Sequence, residues 1–216
     1  MNIPTPAATL NGIANVRLPA WLLPDGWPLQ AGEPVTADVR FDAGKIASVT
    51  PYQPEQDDLW NAHGALALPG LVEPHAHLDK TFTLARSRPS KPGLLAAIET
   101  LHQDRQHWTA ADIRQRAGKA LTWAAANGVT RLRTHIDWFD VVPPQAWLEL
   151  GGMAQPGVTL ERVALAPLSF FIDAEAADRI ARAVAQSGKD CLLGGFIHSS
   201  NWDPAAMTHL MQSAAR

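Results

Sequence analysis

From residue 66 onward, stretches with the pattern of buried strands alternate with stretches that have the pattern of helices. Four such strand–helix units follow one another along the chain. Strands that alternate with helices pair in parallel, because each helix carries the chain back to the start of the next strand. The alternation therefore predicts an α/β fold built on a parallel sheet.

The boundaries of these elements follow from apolar runs and from residues typical of helix ends. Thr109 with Asp112 three residues later indicates a helix start, and Asn127-Gly128 indicates its end. The predicted strands are Leu66–Glu73, Val129–Ile136, Glu161–Leu168 and Cys191–Ile197. The predicted helices are Lys91–Asp104, Thr109–Asn127, Pro143–Leu150, Asp173–Ser187 and a last one from an Asp203 cap to Arg216.

The second strand is polar along one face and apolar along the other. Its polar parity carries Arg131, Arg133, His135 and Asp137, and its apolar parity carries Leu132 and Ile136. A polar line toward a barrel interior, with an apolar line under helices, favours a (β/α)8 barrel over a doubly wound sheet. Residues 66–216 then form the first half of a TIM-type barrel, since a closed barrel needs eight units.

The half barrel leaves two strand edges without partners, which sequences usually avoid. We therefore expect a truncated chain or fragment, one that forms a homo-oligomer, or one that pairs with a missing C-terminal half. Residues 1–65 form a separate small β-module, in which Val35–Phe41 and Ile46–Thr50 make a hairpin. Pro51–Asp58 is its linker.

Composition excludes several classes of function. Hydrophobic residues make up 46% and charged residues 18%, as in globular domains. A net charge of −3 without a basic stripe argues against nucleic-acid binding. Cys191 is the single cysteine, which fits a reducing, cytoplasmic location. Met1–Asn11 lacks the features of a signal peptide, and no apolar stretch is long enough to predict a membrane span.

The first barrel strand ends in two histidines, His75 and His77, spaced so that both side chains leave one face. Two such imidazoles can occupy neighbouring positions on one divalent metal. Glu73 and Asp79 share their parity. We predict that His75 and His77 are metal ligands; the alternative is a polar pair in a solvated loop.

Other polar residues follow the strands. Asp79 is predicted to orient a ligand histidine from behind, or else to cap a turn or lie in a loop. His135 is predicted to contact substrate and Asp137 to support the site, or both belong to a buried Arg–His–Asp network. His198 ends the fourth strand and is predicted either to contact substrate or to be a hydrogen-bonded loop histidine. Trp123, among alanines, is predicted to lie in the core.

Two motifs resemble the cytosine deaminase-like branch of the amidohydrolase superfamily. Val72-Glu73-Pro74-His75-Ala76-His77-Leu78-Asp79-Lys80-Thr81 resembles the first-strand signature of that branch, and Asn127-Gly128 followed by Arg131-Leu132-Arg133-Thr134-His135-Ile136-Asp137 resembles the second. The β-module resembles the sandwich domain of these enzymes. The resemblance covers nearly the whole chain.

This resemblance implies one divalent metal, iron or zinc, and hydrolytic deamination or C–N cleavage on a small nitrogen heterocycle. His75 and His77 carry over as two ligands. The remaining ligands and the general acid/base, and hence the catalytic residues, are expected beyond residue 216, so the isolated chain is expected to be inactive as a hydrolase. The alternative is a non-catalytic half-barrel remnant.

One position departs from the family pattern. Cytosine deaminases carry a substrate-reading Gln after the proline that ends the third strand, and Leu168 occupies that place here. Leucine cannot hydrogen-bond a pyrimidine edge, so we expect Leu168 to contact a substrate other than cytosine, such as a triazine or another heterocycle that carries an amino or alkylamino group.

Overall fold

The computed structural model describes residues 10–54, 58–89, 91–140 and 142–215. The chain divides into two compact units, residues 1–69 and 70–216. The prediction for Met1–Asn11 falls almost entirely outside the described residues, as do part of the Pro51–Asp58 linker and the last residue of the final helix. Each unit has its own core, so each is considered by itself.

The unit boundary lies four residues later than the predicted boundary between 65 and 66. Leu66 forms a parallel bridge with Arg17, and the Ala67 amide donates to the Arg17 carbonyl at 2.9 Å. Leu66–Leu68 therefore belong to the N-terminal unit, and the first barrel strand begins only at Leu71, after Pro69-Gly70.

The N-terminal unit contains a four-stranded mixed sheet and a separate two-stranded ribbon. The strands are β1 (Gly12–Val16), β2 (Leu29–Gln30), β3 (Glu33–Pro34), β4 (Ala37–Asp42), β5 (Lys45–Pro51) and β6 (Trp60–Asn61). The sheet order is β5-β4-β1-β6, and β2 pairs with β3. This arrangement is the small β-module that the hairpin pattern predicted.

The β4–β5 hairpin turns at Ala43 and Gly44, which have φ values of 48° and 75°. Two successive positive φ values match the twist of an antiparallel pair, and the glycine adopts its value without strain. Val16, Ala37, Val39 and Ala62 form the buried core of this unit. The predicted hairpin is thus confirmed.

The second unit is a parallel sheet whose strand order follows the chain. Its strands are β7 (Leu71–Ala76), β8 (Val129–Asp137), β9 (Thr159–Pro167) and β10 (Cys191–Phe196). Its helices are α1 (Leu94–Asp104), α2 (Ala110–Ala126), α3 (Gln145–Gly151), α4 (Ala174–Gln186) and α5 (Pro204–Ala214). A parallel sheet wound in one direction is half of a (β/α)8 barrel, which confirms the predicted fold class.

The helices cover the apolar face of this sheet. Buried residues of this core include Ile113, Leu121, Ile136, Leu150, Phe171, Ile180 and Leu210. On the opposite face, Arg131 and Arg133 of β8 bond to Glu161 of β9, which pairs with Arg133 in register. The two parities of β8 therefore separate an apolar layer from a polar one, as the sequence pattern predicted.

Helix starts confirm the predicted caps. Thr109 accepts a hydrogen bond from the Asp112 amide at 3.2 Å, and Asp203 accepts one from Ala206 at 2.8 Å. Trp123 corrects the prediction of a core residue, since it is 56% exposed. Its ring packs edge-on against Phe82 and under the Lys119 ammonium. Within the described residues, no helix is long and apolar enough to cross a membrane.

Candidate metal centre

His75 and His77 lie at the C-terminal end of β7 with their rings turned toward each other. The two Nε2 atoms are 3.3 Å apart. Two metal–nitrogen bonds of about 2.0–2.1 Å at a tetrahedral angle place their nitrogens about 3.3–3.4 Å apart. The pair therefore fits two neighbouring positions on one zinc-sized ion.

The other nitrogen of His77 is already engaged. His77 Nδ1 lies 2.8 Å from the His135 carbonyl oxygen, so it carries the hydrogen, and the Nε2 lone pair faces His75 Nε2. Burial, reinforced by the nearby Lys80 ammonium, lowers the pKa of His77 to about 4. His77 is thus neutral at pH 7, which is the form that binds metal.

His135 packs against the pair from β8. Its ring stacks on His75 with centroids 4.0 Å apart, and burial lowers its pKa. Its Nδ1 is buried and has no hydrogen-bond partner among the described residues. The structure therefore brings His135 to the predicted site, although the contact it shows is with a candidate ligand.

Asp137, also on β8, lies between two cations. Its carboxylate accepts from Lys80 at 2.9 Å and from Arg105 at 2.7 Å. These bonds link the loop after β7 to the segment after α1. Arg131 and Arg133 of β8 bond to Glu161, so the arginine that contacts Asp137 is Arg105, and the alternative of a buried Arg–His–Asp network stays open.

Asp79 is 1% exposed, and burial raises the pKa of its carboxyl to about 7. Its Oδ1 has no hydrogen-bond partner within the described part of the chain. The Nδ1 of His77 faces the backbone carbonyl of His135 and not Asp79, and the role of Asp79 in orienting a ligand histidine stays a prediction.

A pocket of about 450 Å³ opens beside the histidine pair. Its polar lining is His75, His77, Lys80 and Asp137, and its apolar lining includes Leu94, Ile98, Phe139, Leu165, Phe196 and Ile197. An apolar cleft with a few convergent polar groups is the usual form of a small-molecule site. A larger groove in the N-terminal unit has no histidine or cysteine among its described lining residues.

Leu168 and His198 lie away from this pocket lining. Leu168 is fully buried in the core and is not among the residues that line the pocket, whereas Pro167, one residue earlier, is; the contact of Leu168 with substrate stays a prediction. His198 is exposed, and its Nδ1 lies 2.8 Å from Ser200 Oγ. It has the contacts of the hydrogen-bonded loop histidine that formed the alternative, and its contact with substrate stays a prediction.

Sequence reasoning missed Lys80, Arg105 and the apolar wall from α1. Lys80 directly follows the first-strand motif, so its position beside two histidines was a usable indication. Arg105 and the α1 residues meet the site only through tertiary packing.

Among the described residues, no group of three or more His, Cys, Asp or Glu side chains is arranged to hold a metal ion.

No protein-family model matches the chain. The chain is nevertheless similar to deaminases of the cytosine deaminase-like branch of the amidohydrolases. The chain is 27% identical to a pterin deaminase of Rhizobium rhizogenes over 187 residues, which are 83% of this chain and 42% of the relative.

Solved structures show the same similarity. A 5-methylcytosine deaminase from Klebsiella pneumoniae, liganded with 5-fluorocytosine, superposes with a TM-score of 0.69 at 26% identity, covering 94% of this chain and 48% of that one. An atrazine chlorohydrolase from Arthrobacter aurescens, complexed with zinc and atraton, shares the fold at 14% identity with a TM-score of 0.57, covering 95% and 57%. The chain thus spans less than half the length of the first two relatives.

Proposed function

We propose that this chain supplies the His75–His77 side of the metal centre of an amidohydrolase that cleaves a C–N bond on a small nitrogen heterocycle. The observation that carries the proposal is the 3.3 Å separation of the two Nε2 atoms beside a 450 Å³ pocket. The similarity to a pterin deaminase and a 5-methylcytosine deaminase supports the substrate class.

The ion is a divalent metal, with zinc the first choice and iron the alternative. Zinc is favoured by the tetrahedral spacing of the pair and by the zinc recorded in the chlorohydrolase. When bound by His75 and His77, such an ion would supply Lewis-acid activation of water at neutral pH. We retain the cytoplasm as the proposed location.

The chain's own residues bind the ion and shape the pocket for the substrate ring. His75 and His77 hold the ion, and the His135 carbonyl keeps the proton of His77 on Nδ1. Apolar residues such as Phe139 and Phe196 exclude water from a flat ring placed in the pocket. Lys80 and Arg105 bond to both carboxylate oxygens of Asp137 and hold this side chain in the pocket wall.

We place the proton-transferring carboxylate and the further ligands outside the described residues, as the resemblance implies. They would be supplied by further βα units or by another chain, in keeping with the predicted pairing. We expect the 216-residue chain alone to release no ammonia from cytosine or pterin.

The decisive experiment is a zinc titration of the full chain by isothermal calorimetry. We expect the wild type to bind zinc and His77→Asn to bind at least about tenfold more weakly, because losing one of two ligands removes the chelate. His198→Asn is the matched control and should bind as the wild type does. Equal binding by all three proteins, or no binding by the wild type, would contradict the proposal.

The second candidate is a non-catalytic half barrel. It is favoured by the exposure of Leu71 and Val72 on the edge strand β7. A protein that binds no zinc in the titration, and that associates in sedimentation, would support this candidate instead.

A further inference from the structure

Arg116 of α2 is a buried arginine whose side chain reaches the backbone just after His77. Its side chain is 7% exposed, and Nη1 donates to the Asp79 carbonyl at 2.6 Å and to the Thr81 carbonyl at 2.9 Å. These carbonyls belong to the short 3₁₀ turn Leu78–Lys80 and the residue that ends it. The guanidinium therefore bridges two points of one turn.

The guanidinium is itself held in place. Nε and Nη2 donate to Asp112 Oδ2 at 2.9 and 2.7 Å, and the ring of Trp108 lies 5.3 Å from the guanidinium carbon. A planar guanidinium with fixed donors can join a carboxylate to two carbonyls at once, which an ammonium cannot reproduce. Arg116 is thus a rigid link between α2 and the turn.

The same turn is fastened to β8 on its other side. The Leu78 amide donates to Thr134 Oγ1 at 3.0 Å, and both residues are buried. The Lys80 amide donates to the His77 carbonyl at 3.0 Å, so His77 is tied into the turn. A movement of the turn would therefore move His77.

We infer that Arg116 is a positioning residue for the metal centre: it fixes the turn Leu78–Lys80 and thereby holds His77 Nε2 opposite His75 Nε2. The inference rests on the proposed metal centre for its purpose, while the bonds to the Asp79 and Thr81 carbonyls carry it structurally. Residues that orient ligands commonly change metal affinity by 10–100-fold when replaced.

Arg162 offers a matched control in the same unit. It also donates to two backbone carbonyls, those of Trp147 at 2.6 Å and Ser187 at 3.2 Å, and it also packs on a tryptophan ring. It has no bond to the turn after β7. Arg116→Lys and Arg162→Lys should therefore lose comparable stability, and only the first should disturb His77.

The test compares both variants in the full chain, with zinc affinity by calorimetry and the His77 imidazole nitrogens by ¹⁵N NMR without metal. We expect Arg116→Lys to weaken zinc binding by about tenfold or more. We also expect the two imidazole ¹⁵N shifts of His77 to move toward each other, because the ring then exchanges between its Nδ1–H and Nε2–H forms. Arg162→Lys should leave both readouts at their wild-type values. Unchanged readouts in Arg116→Lys, or equal changes in both variants, would overturn the inference.

Two further outcomes are also decisive. If the wild type binds no zinc, the proposed function fails, and the NMR shifts alone decide whether Arg116 positions His77. If Arg116→Lys does not fold, Asp112→Asn keeps the arginine but weakens its anchor. A smaller loss in the same direction then supports the inference, and no change overturns it.

Discussion

The ends of β7 and β10 line the same pocket but are held in different ways. At the end of β7, His77, Leu78 and Lys80 bond to His135, Thr134 and Asp137, all more than fifty residues away. At the end of β10, the His198 amide bonds to Asn201 Oδ1, and Asn201 Nδ2 donates to the Phe196 carbonyl. The first end is fixed by the barrel, and the second by its own loop.

This difference suits the two tasks that the proposed function gives to these ends, metal binding at β7 and substrate contact at β10. A metal ligand must be held close to its final position before the ion arrives, which requires packing and bonds from several elements. A loop that touches substrate can be fastened only to itself and still adapt to what it binds. The pocket thus combines a rigid side at β7 with an adaptable side at β10.

The largest expected effect on the free energy of unfolding comes from a buried residue of the rigid side, Leu78. Leu78 is 2% exposed, so Leu78→Ala should lower the free energy of unfolding by about 2–5 kcal/mol through lost burial and a cavity. Ile197→Ala at the β10 end is the control, since Ile197 is 44% exposed. This variant should lower the free energy of unfolding by less than about 1 kcal/mol. Urea denaturation measures both, and equal losses would contradict the comparison.

The sequence predicted the parts of this comparison that depend on local pattern. Thr109 and Asp203 cap their helices because a side-chain oxygen three residues ahead of an amide needs no tertiary contact. His75 and His77 were found by strand parity, and the structure turns them toward each other. Their role as ligands stays a prediction.

Tertiary contacts account for what the sequence did not predict. Leu66 is apolar like a barrel strand, but it pairs with Arg17 in the N-terminal unit. Leu168 continues the apolar pattern of β9, but the chain turns into a 3₁₀ helix after Pro167 and carries it into the core. The hydrogen bond between Lys80 and Asp137 joins residues 57 positions apart in the sequence. The periodicities of helices and strands relate only near neighbours in the sequence, so they could not predict this bond.

An intermediate effect on stability is expected from replacing Arg86, which lies in the segment after β7 and forms ion pairs with two carboxylates. Arg86 donates to Asp104 at 2.8 Å and contacts Asp112 at 2.6 Å. Hydrogen bonds from Arg86 hold the pKa of Asp112 below its usual value. For Asp104, burial raises the pKa, but bonds from Arg86 and Trp108 outweigh it and leave the pKa lowered.

A lowered pKa in the folded state stabilises the protein above the unfolded value of 3.8, and this stabilisation disappears as pH falls through the folded pKa. Arg86→Met should therefore lower the free energy of unfolding by roughly 1–2 kcal/mol at pH 7, with the difference from wild type shrinking below about pH 4. Urea denaturation at pH 7 and below about pH 4 measures this difference in the free energy of unfolding. Arg179→Met, in an exposed helical pair with Glu175, should change stability by only a few tenths. A difference for Arg86→Met that grows toward acid would contradict this assignment.

The smallest expected effect tests the adaptable side. Asn201→Ala removes the two side-chain bonds that Asn201 makes in the β10 loop, yet these groups are near water, which can replace the lost partners. The free energy of unfolding should therefore change by only about 0.5 kcal/mol. Amide hydrogen exchange should nevertheless quicken at His198 and stay unchanged at Leu78, whose amide is held by buried Thr134. Faster exchange at Leu78 as well would mean that the two ends of the pocket move together, and that the β7 end is not independently fixed.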